Sequence, residues 1–282
     1  ESDTLADIRN KVEIATIIGT LQSTLTDFRY LSPAWKRNTE EERLLGVSLT
    51  GIMDCPAIMN ASADDLEYLK AHAVSVNKKW AKKLGIPEST AITCVKPSGT
   101  VSQLVDSASG IHPRYNSHLI RRVRNDKKDP LSQALIDCKV PYHTDPYNAE
   151  AWVFEFPQKS PKKSLTRHDL SALEHLEIWK RFTVHWCEHK PSVTIYVKEH
   201  EWMEVGAWVW KNFDIVSGVS FLPSADEAHS YESAPYEDCD ETEYKERAKQ
   251  IPKEIDWDLI LEEEDVTTSS QEFACTGGAC EL

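Results

Sequence analysis

Two short stretches carry residue types whose spacing allows chemistry. Cys275 and Cys280 flank the spacer Thr-Gly-Gly-Ala, close to the last residue, Leu282. Two adjacent glycines make that spacer pliant enough to bring the sulfurs into bonding geometry, so the pair can cycle between dithiol and disulfide. A labile accidental disulfide and half of a zinc site are the competing readings; for zinc the second pair and the histidine it would want are missing from the motif, and no metal is expected. Glu272, Glu281 and the terminal carboxylate disfavour thiolate by like charge, so the pair should react best docked in a less acidic place. The second stretch is Ala91-Ile-Thr-Cys-Val-Lys-Pro-Ser-Gly-Thr-Val-Ser-Gln-Leu104. Its β-branched run, its turn of small residues and its apolar continuation read as strand, loop and helix. A helix starting near Thr100 would leave unpaired N–H groups facing an anion, with Gly99 permitting close approach and Ser98, Thr100 and Ser102 adding hydroxyls. Pro-Ser-Gly-Thr also makes an ordinary turn. It is no Walker loop, because Lys96 precedes the glycine.

The elements that must position these stretches alternate in type. Apolar residues at helical spacing (Leu5, Ile8, Val12, Ala15, Ile18, Leu21, Leu25) predict a buried helix over residues 3–28, capped by Ser2 or Asp3. Pro33 is expected to break the following segment and Thr39 to open a second helix. Gly46-Val-Ser-Leu-Thr-Gly-Ile-Met-Asp54 reads as a strand or buried turn, and a helix should run from Ser62-Ala-Asp-Asp65 to Gly85. This order favours an α/β architecture with parallel strands. Further on, the pattern predicts a helix over 130–138, a strand over 151–156, a long amphipathic helix over 170–189 and a strand over 191–197. From Glu199 the chain is expected to be irregular and rich in aromatics, and beyond about Ile255 to become an acidic, flexible tail.

Composition narrows the function classes. A chain of 282 residues with 40% hydrophobic and 28% charged residues suits a globular protein of one large or two modest domains. The net charge of −14 argues against a nucleic-acid groove, although Arg121-Arg-Val-Arg124 could serve a small anion. No stretch has the length of a membrane span, and Glu1-Ser-Asp-Thr-Leu-Ala-Asp is acidic where a signal peptide is basic, so a cytoplasmic location is expected. Seven cysteines without framework spacing argue for reduced thiols. Because the chain opens on Glu1 in mid-element, the earlier part of a longer polypeptide is expected upstream.

The motifs in combination resemble a known family. Gly46 to Asp54, the stretch around Pro97-Ser-Gly-Thr-Val-Ser102, Ser109-Gly-Ile-His-Pro-Arg-Tyr115 with Ile120-Arg-Arg-Val-Arg124, and Ala274-Cys-Thr-Gly-Gly-Ala-Cys-Glu-Leu282 occur in the order and spacing of one enzyme class. They resemble the C-terminal part of adenosylcobalamin-dependent (class II) ribonucleotide reductase of the monomeric ribonucleoside-triphosphate reductase type. The resemblance implies the later part of a ten-stranded α/β barrel, shared with glycyl-radical enzymes. Residues 1–197 would be barrel, 198–254 a flanking region contributing to cobalamin contact, and 255–282 a redox tail. It implies that Pro97, Ser98, Gly99, Thr100, Val101 and Ser102 hold the phosphates of a ribonucleoside triphosphate. Cys275 and Cys280 would be the shuttle that carries electrons from thioredoxin to a buried thiol pair. The radical-bearing Cys, its partner thiols, the proton-handling Asn and Glu and the allosteric site belong to motifs upstream, so Cys55, Cys94, Cys138, Cys187 and Cys239 read as structural and this chain alone should not turn over substrate. His112, Arg114 and Tyr115 read as a turn histidine and surface groups in preference to catalytic ones.

Three rivals remain at this level. The large subunit of an iron-dependent reductase also ends in a Cys pair, but should show adjacent tyrosines, and Tyr231 and Tyr236 lie apart. A glycyl-radical enzyme needs a glycine motif that Thr276-Gly-Gly-Ala279 does not resemble. A non-catalytic module binding a nucleotide or a thioredoxin-like partner is the third.

Overall fold

The computed structural model describes residues 2–162, 164–224 and 232–260, together with the backbone of 275–276 and 279–280. In chain order the elements are α1 (Leu5–Gln22), α2 (Pro33–Glu42), β1 (Val47–Ser48), α3 (Pro56–Met59), α4 (Ala63–Leu84), β2 (Thr93–Cys94), α5 (Val101–Leu104), β3 (His118–Asp126) and α6 (Pro130–Asp137). Then come β4 (Tyr142–Thr144), β5 (Ala151–Lys159), α7 (Ala172–His185), β6 (Ser192–Val197), α8 (Trp202–Lys211), β7 (Gly218–Pro223), β8 (Tyr236–Asp238), α9 (Glu241–Ala248), β9 (Cys275–Thr276) and β10 (Ala279–Cys280). They fall into two compact units, one of residues 1–113 and 169–224, the other of 114–168 and 225–281. The architecture is mixed α/β, and no closed barrel forms among the described residues.

The first unit holds the parallel pairs. β1 lies beside β2 in the register Val47↔Thr93, and β6 beside β7 in the register Ser192↔Gly218. Gly218 is needed there, because a Cβ would stand 2.7 Å from the Pro191 carbonyl oxygen. The core is built by Leu66, Leu69 and Ala73 of α4, Leu176, Trp179 and Phe182 of α7, and Val193, Ile195 and Val197 of β6, all buried. Each large aliphatic side chain so buried contributes about 1.5–3 kcal/mol. α4 begins at a capping box in which Ser62 and Asp65 satisfy one another's backbone N–H, and ends at Gly85 in the left-handed region, as its sequence predicts. α7 starts in the same way at Ser171 and Glu174.

Four expectations for this unit are corrected. α1 is capped by Thr4 with Asp7, not by Ser2 or Asp3, because only Thr4 has an acidic residue three positions on to complete the box. α1 is also not buried all round: Ile8, Val12, Thr16 and Thr20 form its inner face, whereas Ile14 and Ile18 are each 58% exposed. The threonines can go inside because their hydroxyls donate to the carbonyls of Val12 and Thr16, each at 2.7 Å. Pro33 starts α2, since a proline at the first helical position gives up an N–H that no helix bond would use. Beyond Glu199 the chain is regular, forming α8 and then β7.

The second unit is an antiparallel sheet in the order β4-β5-β3-β8, with β3 and β5 paired from His118↔Lys159 to Asp126↔Ala151. β5 was legible, although it runs three residues further than predicted, whereas β3 was hidden by its run of arginines. Leu135, Val140 and Phe154 form its small core. The arginines explain themselves through the residues opposite. Arg122 pairs with Glu155 at 2.9 Å and also with Glu237, and Arg124 pairs with Asp145 at 2.7 Å. These two side chains are therefore spent on internal ion pairs, which corrects the reading of the run as an anion site. Arg121 lies over the ring of Tyr236, which stacks on Tyr115 at 5.3 Å between centroids, and Arg167 covers the other side of that stack.

Candidate functional site

Three segments of the first unit meet at the loop that follows β2. The chain leaves the β1–β2 pair at Val95, and the Lys96 N–H donates to the Ser48 hydroxyl at 2.9 Å. The turn after β1 comes alongside through Gly51 (φ +69°), where a Cβ would stand 2.9 Å from the Ser107 Cβ. The 107–112 turn closes from the other side through Gly110 (φ +52°), where a Cβ would meet the Lys96 carbonyl oxygen at 2.9 Å. Only glycine suits either place.

Hydroxyls lock the three segments together. The Thr50 hydroxyl bonds the Ser98 hydroxyl at 2.9 Å and accepts the Gly110 N–H at 3.0 Å. Ser109 Oγ accepts the Ser98 N–H at 2.9 Å, and an Asp54 carboxylate oxygen accepts the Ala108 N–H at 2.6 Å. Within the loop, the buried Ser102 hydroxyl donates to the Ser98 carbonyl. Two of the three hydroxyls read as ligand donors, those of Ser98 and Ser102, thus shape the loop itself.

What the loop leaves open is backbone. The N–H groups of Gly99, Thr100, Val101 and Ser102 have no hydrogen-bond partner among the described residues. Nothing lies within 4 Å of where a Gly99 Cβ would be, so a ligand atom can come close there. Thr100 is exposed and its hydroxyl caps nothing, while Pro97 fixes the approach from Lys96. Consecutive free N–H groups make a concavity that suits an anion. α5, with four residues, adds little dipole of its own.

Behind the loop sits a buried histidine pair. His112 Nε2 accepts the Thr194 N–H of β6 at 3.0 Å, which leaves Nδ1–H to donate to the Ser109 carbonyl at 3.1 Å. His175 Nε2 donates to the Ile111 carbonyl at 2.9 Å. Burial, with His175 adjacent, holds His112 at about 3, and burial holds His175 at about 4, so both are neutral at physiological pH. The reading of His112 as a turn histidine fits these bonds.

The roles of Thr50 and Ser109 were missed in the sequence, although a signal for them exists. Thr50-Gly51, Ser98-Gly99 and Ser109-Gly110 are three hydroxyl–glycine dipeptides, and each supplies one wall of the loop's surroundings.

The cysteines separate into two groups. Cys55, Cys94, Cys138, Cys187 and Cys239 are free thiols, and burial pushes Cys187 up to about 12 and Cys94 upward, which makes both poor nucleophiles. Cys275 and Cys280 lie on β9 and β10, whose antiparallel register sets them directly opposite each other. The remainder of the predicted tail beyond residue 260, and Tyr231, lie outside the described residues. No group of three or more metal-ligating side chains forms among the described residues, and no described helix is long and apolar enough to cross a membrane.

α8 presents an apolar face. Met203 and Trp210 are 86% and 82% exposed, Phe213 just past the helix is 71% exposed, and Gly206, between the first two, has open space above it.

Comparison with known proteins follows the same lines. No family model matches the chain. The adenosylcobalamin-dependent ribonucleoside-triphosphate reductase of Lactobacillus delbrueckii subsp. bulgaricus is 29% identical over 224 residues, 77% of this chain and 30% of the relative. The reductase of the same description from Lactobacillus acidophilus is 28% identical over 226 residues, again 77% and 30%. This chain is homologous to class II ribonucleotide reductases over part of their length. It spans about 30% of the curated class II relatives it matches. A crystal structure of a B-12 dependent (class II) ribonucleotide reductase superposes with a TM-score of 0.71 at 24% identity, over 86% of this chain and 38% of that one, a likeness of fold.

Proposed function

We propose that this chain is the phosphate-holding and thiol-delivering part of a class II ribonucleotide reductase. With the remaining reductase polypeptide it converts ribonucleoside triphosphates to 2′-deoxyribonucleotides. The observation that carries the reading is the loop of residues 97–102, held by Thr50 and Ser109, with four N–H groups that have no partner among the described residues and open space at Gly99. In this role Gly99, Thr100, Val101 and Ser102 donate backbone N–H bonds to phosphate oxygens, Thr100 adds its hydroxyl, and Pro97 and Ser98 hold the loop's shape. Anchoring the phosphates fixes where the ribose stands relative to the radical thiol supplied by the rest of the enzyme. The parallel pairs β1–β2 and β6–β7 are then strands of the later part of a ten-stranded barrel, which reaches past residue 197 to take in β7; the rest of 198–254 is its flank and 255–282 its redox tail.

The tail supplies the electrons. Removing the 2′-hydroxyl as water takes two electrons and two protons, which leaves a disulfide in the active site. The Cys275/Cys280 dithiol exchanges with that disulfide, becomes a disulfide itself, and is reduced by the dithiol of thioredoxin. Directly opposite residues of an antiparallel pair have Cα atoms about 4.5–5.5 Å apart, inside the range a disulfide spans, so the register of β9 and β10 supports this role.

Adenosylcobalamin supplies homolysis of its cobalt–carbon bond when bound. The face formed by α8 and the residue just past its cap fits a large macrocycle: Met203, Trp210 and Phe213 give it apolar area, and Gly206 leaves it a shallow floor. These side chains would seat the group and keep water from it. A cytoplasmic location, where thioredoxin is reduced, belongs to the same reading.

The test is deoxynucleotide formation from a ribonucleoside triphosphate by the complete polypeptide, with adenosylcobalamin and either thioredoxin or a small dithiol. Cys275→Ser with Cys280→Ser should abolish thioredoxin-driven turnover and leave dithiol-driven turnover. Nucleotide binding with no deoxynucleotide under any reductant would instead leave a nucleotide-binding module.

A further inference from the structure

The 107–112 turn makes its decisive contacts in both directions, and this gives His112 a task that the reading above does not assign. On one side Ser109 Oγ holds the Ser98 N–H, which sets the start of the open loop. On the other side the Ser109 carbonyl accepts both the backbone N–H of His112, at 2.8 Å, and His112 Nδ1–H, at 3.1 Å, and only the second ties the turn to β6, because His112 Nε2 is held by the Thr194 N–H. The Ile111 carbonyl is tied to α7 through His175. An unbroken line of hydrogen bonds therefore runs from strand β6 through His112 and Ser109 to Ser98, and the loop takes its position from the strand.

We propose that His112 is a positioning residue for anion binding at the 97–102 loop, acting through Ser109, with His175 steadying the same turn. The inference rests on the phosphate-binding reading of that loop and deepens it. The imidazole suits the place because it offers an acceptor and a donor on opposite sides of one small ring, and both are used. It is buried to 4% exposure and packs edge-on to His175 with ring centroids 6.1 Å apart, so it touches no ligand itself. Its effect on binding must pass through the turn.

The test is calorimetric titration of the chain with ATP and with inorganic tripolyphosphate, alongside amide hydrogen exchange at Ser98. His112→Phe keeps the ring volume and loses both bonds, whereas His112→Gln can keep an acceptor and a donor. The Phe variant should bind both probes about tenfold more weakly, and its Ser98 amide should exchange faster while those of Ile92 and Thr93 do not. The Gln variant should restore both readouts. A merely structural histidine would lower the melting temperature and leave affinity and Ser98 protection unchanged in the folded protein, and that result overturns the proposal. If His112→Phe does not fold, His112→Asn, which reaches Ser109 but not Thr194, takes its place with the same expectations. Failure of the wild-type chain to bind either probe would overturn the phosphate reading itself, a different outcome from equal binding by wild type and variant.

Discussion

At the scale of single residues, the chemistry of the candidate site lies in groups with little chemical character of their own. The donors that the loop leaves open are backbone N–H groups, and the serines that look like donors in the sequence are spent on bonds to Thr50 and within the loop. The most perturbed titratable groups beside it, His112 and His175, are held neutral. That has a consequence for stability. Unfolded, both histidines take up protons below about 6.5; folded, they resist until about 4 and about 3. Their contribution to stability is complete above pH 6.5 and falls as the pH drops from there towards those folded values, because the unfolded state then binds more protons. Urea unfolding of the chain between pH 7.5 and 5 should show stability declining with acid. His112→Gln, which cannot titrate, should flatten that decline, and an unchanged slope would show that His112 is not its source.

At the scale of elements, the legible features were those whose physics is local. The cap and stop of α4, the start of α7 and the strand β6 are written in neighbouring residues, and they appear where the sequence puts them. β3 was not legible, since Arg122 and Arg124 become tolerable in a sheet only through Glu155, Glu237 and Asp145, from distant parts of the chain. The loop at 97–102 was found, but its dependence on Thr50 and Ser109 is a tertiary fact that no local pattern states. The two kinds of glycine make this difference measurable. Gly85 and Gly110 both have positive φ, yet nothing lies within 4 Å of a Cβ at Gly85, whereas at Gly110 it would press on the Lys96 carbonyl at 2.9 Å. Gly85→Ala should cost about 1–2 kcal/mol from backbone strain alone. Gly110→Ala should cost about 1–3 kcal/mol more from overpacking, and should also weaken triphosphate binding by displacing the loop. Equal losses of stability for the two in urea unfolding would mean that the 107–112 turn yields freely and does not brace the loop.

At the scale of the whole molecule, the chain spans about 30% of the length of its curated relatives, and the outer side of α1 offers a test of the assembly proposed above. Its inner face is built by Ile8 and Val12 with two threonines, while Ile14, Ile18 and Leu21 on the other side are 58%, 58% and 43% exposed. An apolar stripe on a second side of a helix is a surface on which a further element can pack. In the proposed assembly the remaining reductase polypeptide covers this second face, which gives the same substitution opposite weight in two settings. Ile14→Lys with Ile18→Lys in the present chain should leave stability within about 0.5 kcal/mol per site, as for ordinary surface changes, and raise solubility. In the complete polypeptide the same pair would bury two unpaired charges and should sharply reduce the yield of folded enzyme. Unfolding and sedimentation of both versions decide the matter. If the longer protein tolerates the lysines as well as the short one does, the outer face of α1 is no internal seam, and the rest of the enzyme packs elsewhere.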